Sequence, residues 1–465
     1  MFFGLEREML FLFLTFFTLS NAYMKFSEYN IFVAQGDVVL GYNTYSDSLI
    51  AISQNAYLQL AECGSADEYE IRNKKLYHQL VDNGFVIDDT RDELAEIRLR
   101  NKEYSFNYCY DLTIIPTLDC NLKCWYCWEK HVANSQMSSE VQAALLLHVK
   151  NKVATETINR LNIEWFGGEP LLRFDSVVYP LGTALCDIAQ NHNIPFSSTF
   201  ITNGTFISSQ IIHRLKELSP SFQITLDGHQ EKHNKVRVRK QGRDGTYEQT
   251  IEGIHLISNE ISDAQITVRI NFDDKTLLSF DGVLRSLEGV DKNRTRIYLE
   301  RVWQTLENVK GYNEGLFEVM QKAISAGFNV EYGNFNPRLV CCKTDKYQQL
   351  GVNYDGKIFK CTGRPFDEEN SDGLLLPSGE IMWKHSRVAK RLGLATFEQE
   401  MCLKCQMLPL CMGPCSQKCM ESGWAGMEAH CPLNGFEMSL DDYITLQFAN
   451  RYLSHRKKQS MPCVS

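Results

Sequence analysis

The chain of 465 residues has no apolar run long enough to span a bilayer, no excess of positive charge, and no internal repeat or low-complexity tract. Its longest apolar stretch, residues 9–19 (MLFLFLTFFTL), is well short of the roughly 20 residues a membrane helix needs, so stable membrane insertion is not expected. Lys plus Arg number 48 against 57 Asp plus Glu, a formal net charge of -9. That balance argues against a partner held by bulk electrostatics such as nucleic acid, and leaves only a local basic groove open. Cysteine is far too dilute for a small disulfide scaffold, and a chain this long buries a core without covalent staples. With 44% hydrophobic and 23% charged residues the chain is a folded protein of two or three domains. It nevertheless holds 16 cysteines, unevenly spread, and clustering favours ligands over scattered core residues.

The apolar stretch before Ser20-Asn21-Ala22 resembles a secretory signal, but Glu6 and Glu8 outnumber Arg7 where a signal has a positive start. Met24 opens MKFSEYNIFV, which reads as the beginning of a soluble domain. Residues 1–23 are therefore expected to be a spurious extension, with a targeting segment as the alternative.

From Tyr29 to Asn43, two apolar runs flank Gly36-Asp37 as a hairpin. Helical periodicity then covers Ser48 to Leu60 and Arg72 to Asp82, Phe85-Val86-Ile87 reads as a strand, and Arg91 to Lys102 as a charged helix. Residues 24–108 are thus expected to form a small α+β module with a winged-helix-like layout, the alternative being a scaffold appendage. After residue 108 strands alternate with helices. Strands are expected at Leu112 to Pro116, Leu161 to Phe166, Ser197 to Thr202, Phe222 to Leu226, Gln265 to Phe272 and Arg294 to Glu300. Helices are expected at Ser139 to Val153, Leu171 to Gln190, Ser208 to Leu218, Tyr247 to Asn259, Leu277 to Leu287 and Asn313 to Ala326. Six such units predict an α/β fold, a partial (β/α)6 TIM-like barrel over residues 109–330 with its chemistry at the carboxyl ends of the strands. Residues 331–440 lack the alternation, hold most of the cysteines and are expected to form a separate domain, followed by a tail over 441–465.

After the first barrel strand, Cys120, Cys124 and Cys127 place three thiols within eight residues. Three such ligands can hold three irons of a [4Fe-4S] cluster and leave the fourth open. The bland alternative is a zinc knuckle, which wants four protein ligands, and only His131 offers itself nearby.

The Cys-x3-Cys-x2-Cys spacing, with Tyr126 before the third cysteine, resembles the signature of the radical S-adenosylmethionine (radical SAM) superfamily. Gly167-Gly168-Glu169-Pro170 after the second strand is similar to that family's turn for the amino group of SAM. The resemblance implies glycines that let the backbone approach the ligand and an anionic partner in Glu169. Asn203, at the end of the third strand, and Thr225 and Asp227, at the end of the fourth, match family positions around the ribose and methionine parts. Arg237 matches an arginine that grips the SAM carboxylate through two parallel hydrogen bonds. Val268-Arg269-Ile270-Asn271 follows the pattern as well. Lys235, Arg239, Lys240 and Arg243 read as a solvated basic face.

Cys342-x13-Gly356-x4-Cys361, then Cys402-x2-Cys405-x5-Cys411-x3-Cys415 and Cys431, resemble the SPASM extension and its two auxiliary [4Fe-4S] clusters. The resemblance implies Cys342, Cys361 and Cys415 for one cluster and Cys402, Cys405, Cys411 and Cys431 for the other. The fourth ligand of the first stays open between Cys341 and a vacant iron, and Cys419 is an alternative to Cys431. Cys63 and Cys186 read as small buried hydrophobes, and Cys463 is uncommitted.

The resemblance implies reductive cleavage of SAM to a 5'-deoxyadenosyl radical that abstracts hydrogen from a ribosomally made precursor peptide, forming a thioether, a carbon-carbon crosslink or an epimer. A flavodoxin- or ferredoxin-like reductant and a cytoplasmic location go with it. Sulfatase maturases of this type follow the Gly-x4-Cys cysteine with an aspartate, where this chain has Thr362. Formylglycine formation is therefore the alternative, and a non-catalytic cluster protein that binds a peptide is the second. Asp273, Asp274, Glu300 and Arg301 are candidates for assisting groups, against an ordinary role as surface charge.

Overall fold

A computed structural model describes residues 23–242, 244–308, 311–333 and 342–459. Residues 1–22, Arg243, Cys341 and Cys463 lie outside the described residues. The chain divides into two compact units, one running through Arg98 and including Cys405–Pro409, the other comprising Leu99–Lys404 and the chain from Leu410.

In the amino-terminal unit, β1 (Met24–Phe26) pairs antiparallel with β5 (Val86–Asp88), and β2 (Asn30–Gln35), β3 (Val38–Asn43) and β4 (Ser48–Ser53) form an antiparallel sheet in that order. The hairpin stands where expected, with Gly36 at φ 61°, a left-handed turn that glycine adopts without strain. The helix expected from Ser48 is instead β4 followed by a helix over Gln54–Ala61. Alternating Leu49-Ile50-Ala51-Ile52 satisfies the edge of β3, and the Ser53 hydroxyl then accepts from Ala56 N to start the helix. Two further helices, Ala66–Arg72 and Lys74–Asp82, pack Tyr69, Tyr77 and Leu80 against Phe85 and Val86.

The larger unit is organised by one sheet. β6 (Cys109–Ile115), β7 (Arg160–Trp165), β8 (Phe196–Thr202), β9 (Pro220–Leu226), β10 (Ile266–Phe272) and β11 (Thr295–Arg301) lie side by side in chain order and parallel. These are the six expected strands to within two or three residues. Helices cross between them at Ser139–Thr155, Tyr179–Asn191, Ser209–Lys216, Tyr247–Glu260 and Phe280–Ser286. β10 is buried at six of its seven positions, as a strand covered on both faces should be, whereas β7, β8 and β11 alternate buried positions with more exposed ones.

Two expected helices are broken. Leu171 to Gln190 begins as a 3-10 turn over Pro170–Arg173 and a π turn over Phe174–Val178, and becomes α-helical only at Tyr179, with Pro180 in the first turn where no N–H is needed. Leu277 to Leu287 starts earlier, at Asp274, because Asp273 and Thr276 form a reciprocal cap, and it breaks at Ser279.

The carboxyl region, expected to fold apart, extends the same sheet. A seventh parallel strand, β12 (Asn329–Tyr332), adds beside β11, and β13 (Gln349–Asn353) pairs parallel with β6 at the opposite side. β14 (Lys357–Phe359), β15 (Gly373–Leu375) and β16 (Ile381–Trp383) continue it antiparallel. β13 is buried at all five positions, so its edge is satisfied by β6 rather than by water. Phe359 and Phe366 then pack with Ile115 and Leu118 against Trp128 and Phe166, placing an aromatic wall behind the cysteine loop. No helix among the described residues is long and apolar enough to cross a membrane.

Candidate active site

The loop leaving β6 carries Cys120 buried, Cys124 partly buried and Cys127 exposed. Asp119 organises it. One carboxylate oxygen accepts from Cys120 N at 2.9 Å and from Lys240 Nζ at 3.2 Å, and the other from Asn134 N at 2.9 Å. Residues 121–123 are also bridged to 238–240, through Lys123 N to Val238 O (2.8 Å) and Lys240 N to Asn121 O (2.9 Å). Lys240, although exposed, thus also ties down the cysteine loop. Arg239 likewise bonds Gln249 at 2.6 Å, whereas Lys235 is an exposed partner of Glu231.

Burial pushes the Cys120 thiol up to about 12, with Glu169 adding to it, and the Cys127 thiol up to about 11. The loop without metal thus holds thiols, and a metal that binds there must displace their protons. His131 Nε2 stands 3.7 Å from Cys127 Sγ. Among the described residues no three His, Cys, Asp or Glu side chains converge closely enough to hold a single metal ion. A cubane cluster instead places each thiolate on its own iron.

The turn after β7 is built against this loop. Gly167 adopts φ 114°, and a Cβ on it would stand 2.5 Å from Thr117 O. A Cβ on Gly168 would stand 2.2 Å from Asp119 O. The glycines thus admit the cysteine-loop backbone, to which Gly168 N and Glu169 N donate at 3.1 and 2.9 Å. Glu169 is fully buried and accepts from Leu171 N (3.0 Å), Thr202 Oγ1 (2.8 Å) and Asn203 N (2.8 Å). Burial raises its pKa and these donors oppose the rise. Glu169 thereby ties the turn, closed by buried Pro170, to the end of β8. There Asn203 Nδ2 donates to Asn121 Oδ1 at 2.9 Å and lies 3.9 Å from Cys120 Sγ.

The third component is a buried polar quartet. Tyr126 OH donates to Asp227 Oδ2 at 2.9 Å and accepts from Arg237 Nη1 at 2.8 Å and Asn271 Nδ2 at 2.9 Å. Arg237 Nη1 also meets Asp227 Oδ2 at 3.0 Å. Burial raises the Asp227 carboxyl while the guanidinium pulls it back. Burial also raises the Cys124 thiol, and Arg237 lowers it, so this cation and that thiol share one field. Two polar atoms of the quartet, Arg237 Nε and Asp227 Oδ1, are buried without a hydrogen-bond partner. Thr225 is buried near the end of β9, two residues before Asp227. Asn271, from the stretch Val268-Arg269-Ile270-Asn271 noted in the sequence, completes the quartet from the carboxyl end of β10.

The four assisting candidates are all engaged elsewhere. Asp273 caps a helix and pairs with Lys232 at 2.6 Å. Glu300 accepts from Tyr298 OH at 2.7 Å. Arg301 is buried against Glu437 and meets Asp274 at 3.0 Å.

In the carboxyl region, burial raises the Cys361 thiol first, and the thiols of Cys415 and Cys342 are near enough to add to it. Cys419 is buried and also feels Cys415. Cys402 is buried, and Cys411 and Cys431 are partly so. These three fall in the larger unit and Cys405 in the smaller.

Residues 114–277 match the family description "Radical SAM superfamily". The chain is 29% identical to an uncharacterised protein of Methanocaldococcus jannaschii over 32% of its own length, and spans about half (48%) of that relative. It is 22% identical to the radical SAM cyclopropyl synthase TigE of Paramaledivibacter caminithermalis, over 75% of this chain and 77% of that one. Among solved structures, anSMEcpe with bound AdoMet superposes with a TM-score of 0.50 at 18% identity, covering 76% of this chain and 98% of that one. At that identity the likeness speaks for the fold.

Proposed function

Because residues 114–277 are a radical SAM domain, whose family uses a [4Fe-4S] cluster and SAM, we propose that the chain is a maturase of ribosomally made peptides. Cys120, Cys124 and Cys127 would hold three irons. When bound, the cluster and SAM supply reductive cleavage to a 5'-deoxyadenosyl radical, which removes a hydrogen atom from the substrate. The chain's own residues bind and orient. The unpartnered Nε edge of Arg237 is suited to a carboxylate, since the guanidinium fork bonds one through two parallel N–H groups. Asp227 Oδ1 is an idle acceptor suited to a ligand's donor group. Tyr126 and Asn271 hold both side chains in place, and the aromatic wall of Trp128, Phe166 and Phe366 limits water at the rear of the loop. The observation that carries the reading is this half-satisfied Arg237–Asp227 pair beside three clustered thiols at the carboxyl ends of parallel strands.

The peptide half of the reading rests on the amino-terminal unit. Among the described residues its three-stranded sheet ends at β2 and β4, edges of the kind that take up an extended leader by strand addition. A flavodoxin- or ferredoxin-like protein would deliver the electron, and exposed Cys127 suits a reducing cytoplasm.

The test uses the full chain, loaded anaerobically with iron and sulfide, with SAM, dithionite and short peptides encoded beside its gene. The expected result is a peptide that loses two hydrogens, or gains deuterium from heavy water if epimerised, and that is modified far more slowly once its leader is removed. SAM cleavage with every such peptide unchanged would reject the peptide substrate while leaving the radical SAM reading intact.

A further inference from the structure

Arg391 is fully buried on the helix His385–Leu392, yet most of its guanidinium has no hydrogen-bond partner. Nη2 donates to Gln417 Oε1, while Nε and Nη1 are buried without any partner. No carboxylate comes within ion-pair distance of it among the described residues; Gln417 turns its own amide to Glu421 at 2.6 Å, and Glu421 is gripped by Arg364. A buried cation with idle N–H groups is costly, and Asp345 lies within its field without forming an ion pair among the described residues, so the guanidinium has donors to spare for a further anion.

Three short segments are tied to one another next to its partner Gln417, and each carries one cysteine. Gln417 lies two residues beyond Cys415. Ser416 Oγ donates to Asp345 Oδ1 at 2.6 Å, tying that segment to the one that begins at Cys342. Lys360, itself buried beside Cys361, donates to the carbonyl oxygens of Lys346 (2.5 Å) and Gln349, fastening the third segment to the same strand-bound turn. The field of Arg391 reaches both Cys361 and Asp345. Lys360 spends its donors on carbonyl oxygens, so Arg391 is the cation here left with idle donors.

We propose that Arg391 is the buried counter-charge of an iron-sulfur cluster held by Cys342, Cys361 and Cys415, and that it sets that cluster's reduction potential. The inference rests on the reading of these cysteines as auxiliary-cluster ligands. A thiolate-ligated cluster becomes more negative by one charge when it takes up an electron. A fixed positive charge in that cluster's surroundings therefore favours the reduced form, and net charge and hydrogen bonds to sulfur are recognised levers on such potentials.

The test is a redox titration followed by electron paramagnetic resonance on the full chain, in a Cys124→Ala background so that the remaining signal belongs to the carboxyl cysteines. Arg391→Gln is expected to lower the reduced-to-oxidised ratio at a fixed poise about tenfold, which is about 59 mV more negative for a one-electron couple. Arg391→Lys, which keeps the charge, is expected to stay within about threefold of the parent. If Gln prevents loading and Lys permits it, the counter-charge role stands. A loaded Gln variant with unchanged potential overturns it, as does equal loss of cluster in both variants, which would mark Arg391 as a packing residue. The reading beneath is checked separately: if Cys361→Ala with Cys415→Ala retains all the iron, no cluster is held there, and the inference falls with it.

Discussion

Gly168→Ala is expected to loosen the cysteine loop and to lower anaerobic iron loading at Cys120, Cys124 and Cys127 several-fold. The added methyl would stand 2.2 Å from Asp119 O and 2.6 Å from Asp119 C. Both are backbone atoms that no rotamer change can move aside. Asp119 is the residue whose carboxylate holds Cys120 N, Asn134 N and Lys240 in register, so relieving the clash means displacing the loop's organiser. Forcing a methyl into so tight a contact costs about 3 kcal/mol, which a thermal melt would register. Gly435→Ala is the control, because a Cβ there meets nothing within 4 Å. Equal melting and equal iron content for the two variants would show that the turn does not brace the loop.

The second large effect is expected for Arg237→Gln. The substitution removes the cation from Asp227, which is 1% exposed, and stranding a buried carboxylate costs about 3–5 kcal/mol. Burial already raises the Asp227 carboxyl, and without the guanidinium it rises further. A folded-state pKa above the unfolded value contributes stability at low pH that is lost as pH rises. The deficit of the variant should therefore be smaller at pH 5 than at pH 8 in denaturant melts. Adding Asp227→Asn removes the stranded charge and should recover part of the loss, a coupling that a double-mutant cycle reads directly. Neither variant is expected to bind SAM measurably by calorimetry. A deficit that does not vary with pH, or that the second substitution deepens by its full single-mutant cost, would contradict the account of this pair.

Much of this was legible in the chain itself. The six parallel strands alternate with helices along the chain, and the second to fifth each end in a glycine, asparagine or aspartate motif. What escaped was set by tertiary pairing. β4 reads as helix because Ser48–Ser53 carries too few residues to distinguish the two periods, and the open edge of β3 decides it. β12 has only four residues, and β13 follows a cysteine pair rather than a helix, so neither announces that it will complete the sheet. The same limit applies to the site. Spacing located Cys120, Gly168, Asp227 and Arg237, but not that the glycines serve the loop backbone. Nor did it show that Lys240 clamps the loop or that Asn271 completes the quartet. Arg391 was invisible for a related reason: on a short helix with Arg387 and Lys390 it reads as one more surface cation, and only its burial shows otherwise.

The most direct measurement is release of 5'-deoxyadenosine from SAM by the full chain, reconstituted anaerobically with iron and sulfide and given dithionite. The account predicts steady release by the parent protein and none by Cys124→Ala. Purified protein that holds zinc at these thiols, or iron-loaded parent protein that leaves SAM intact, would contradict it.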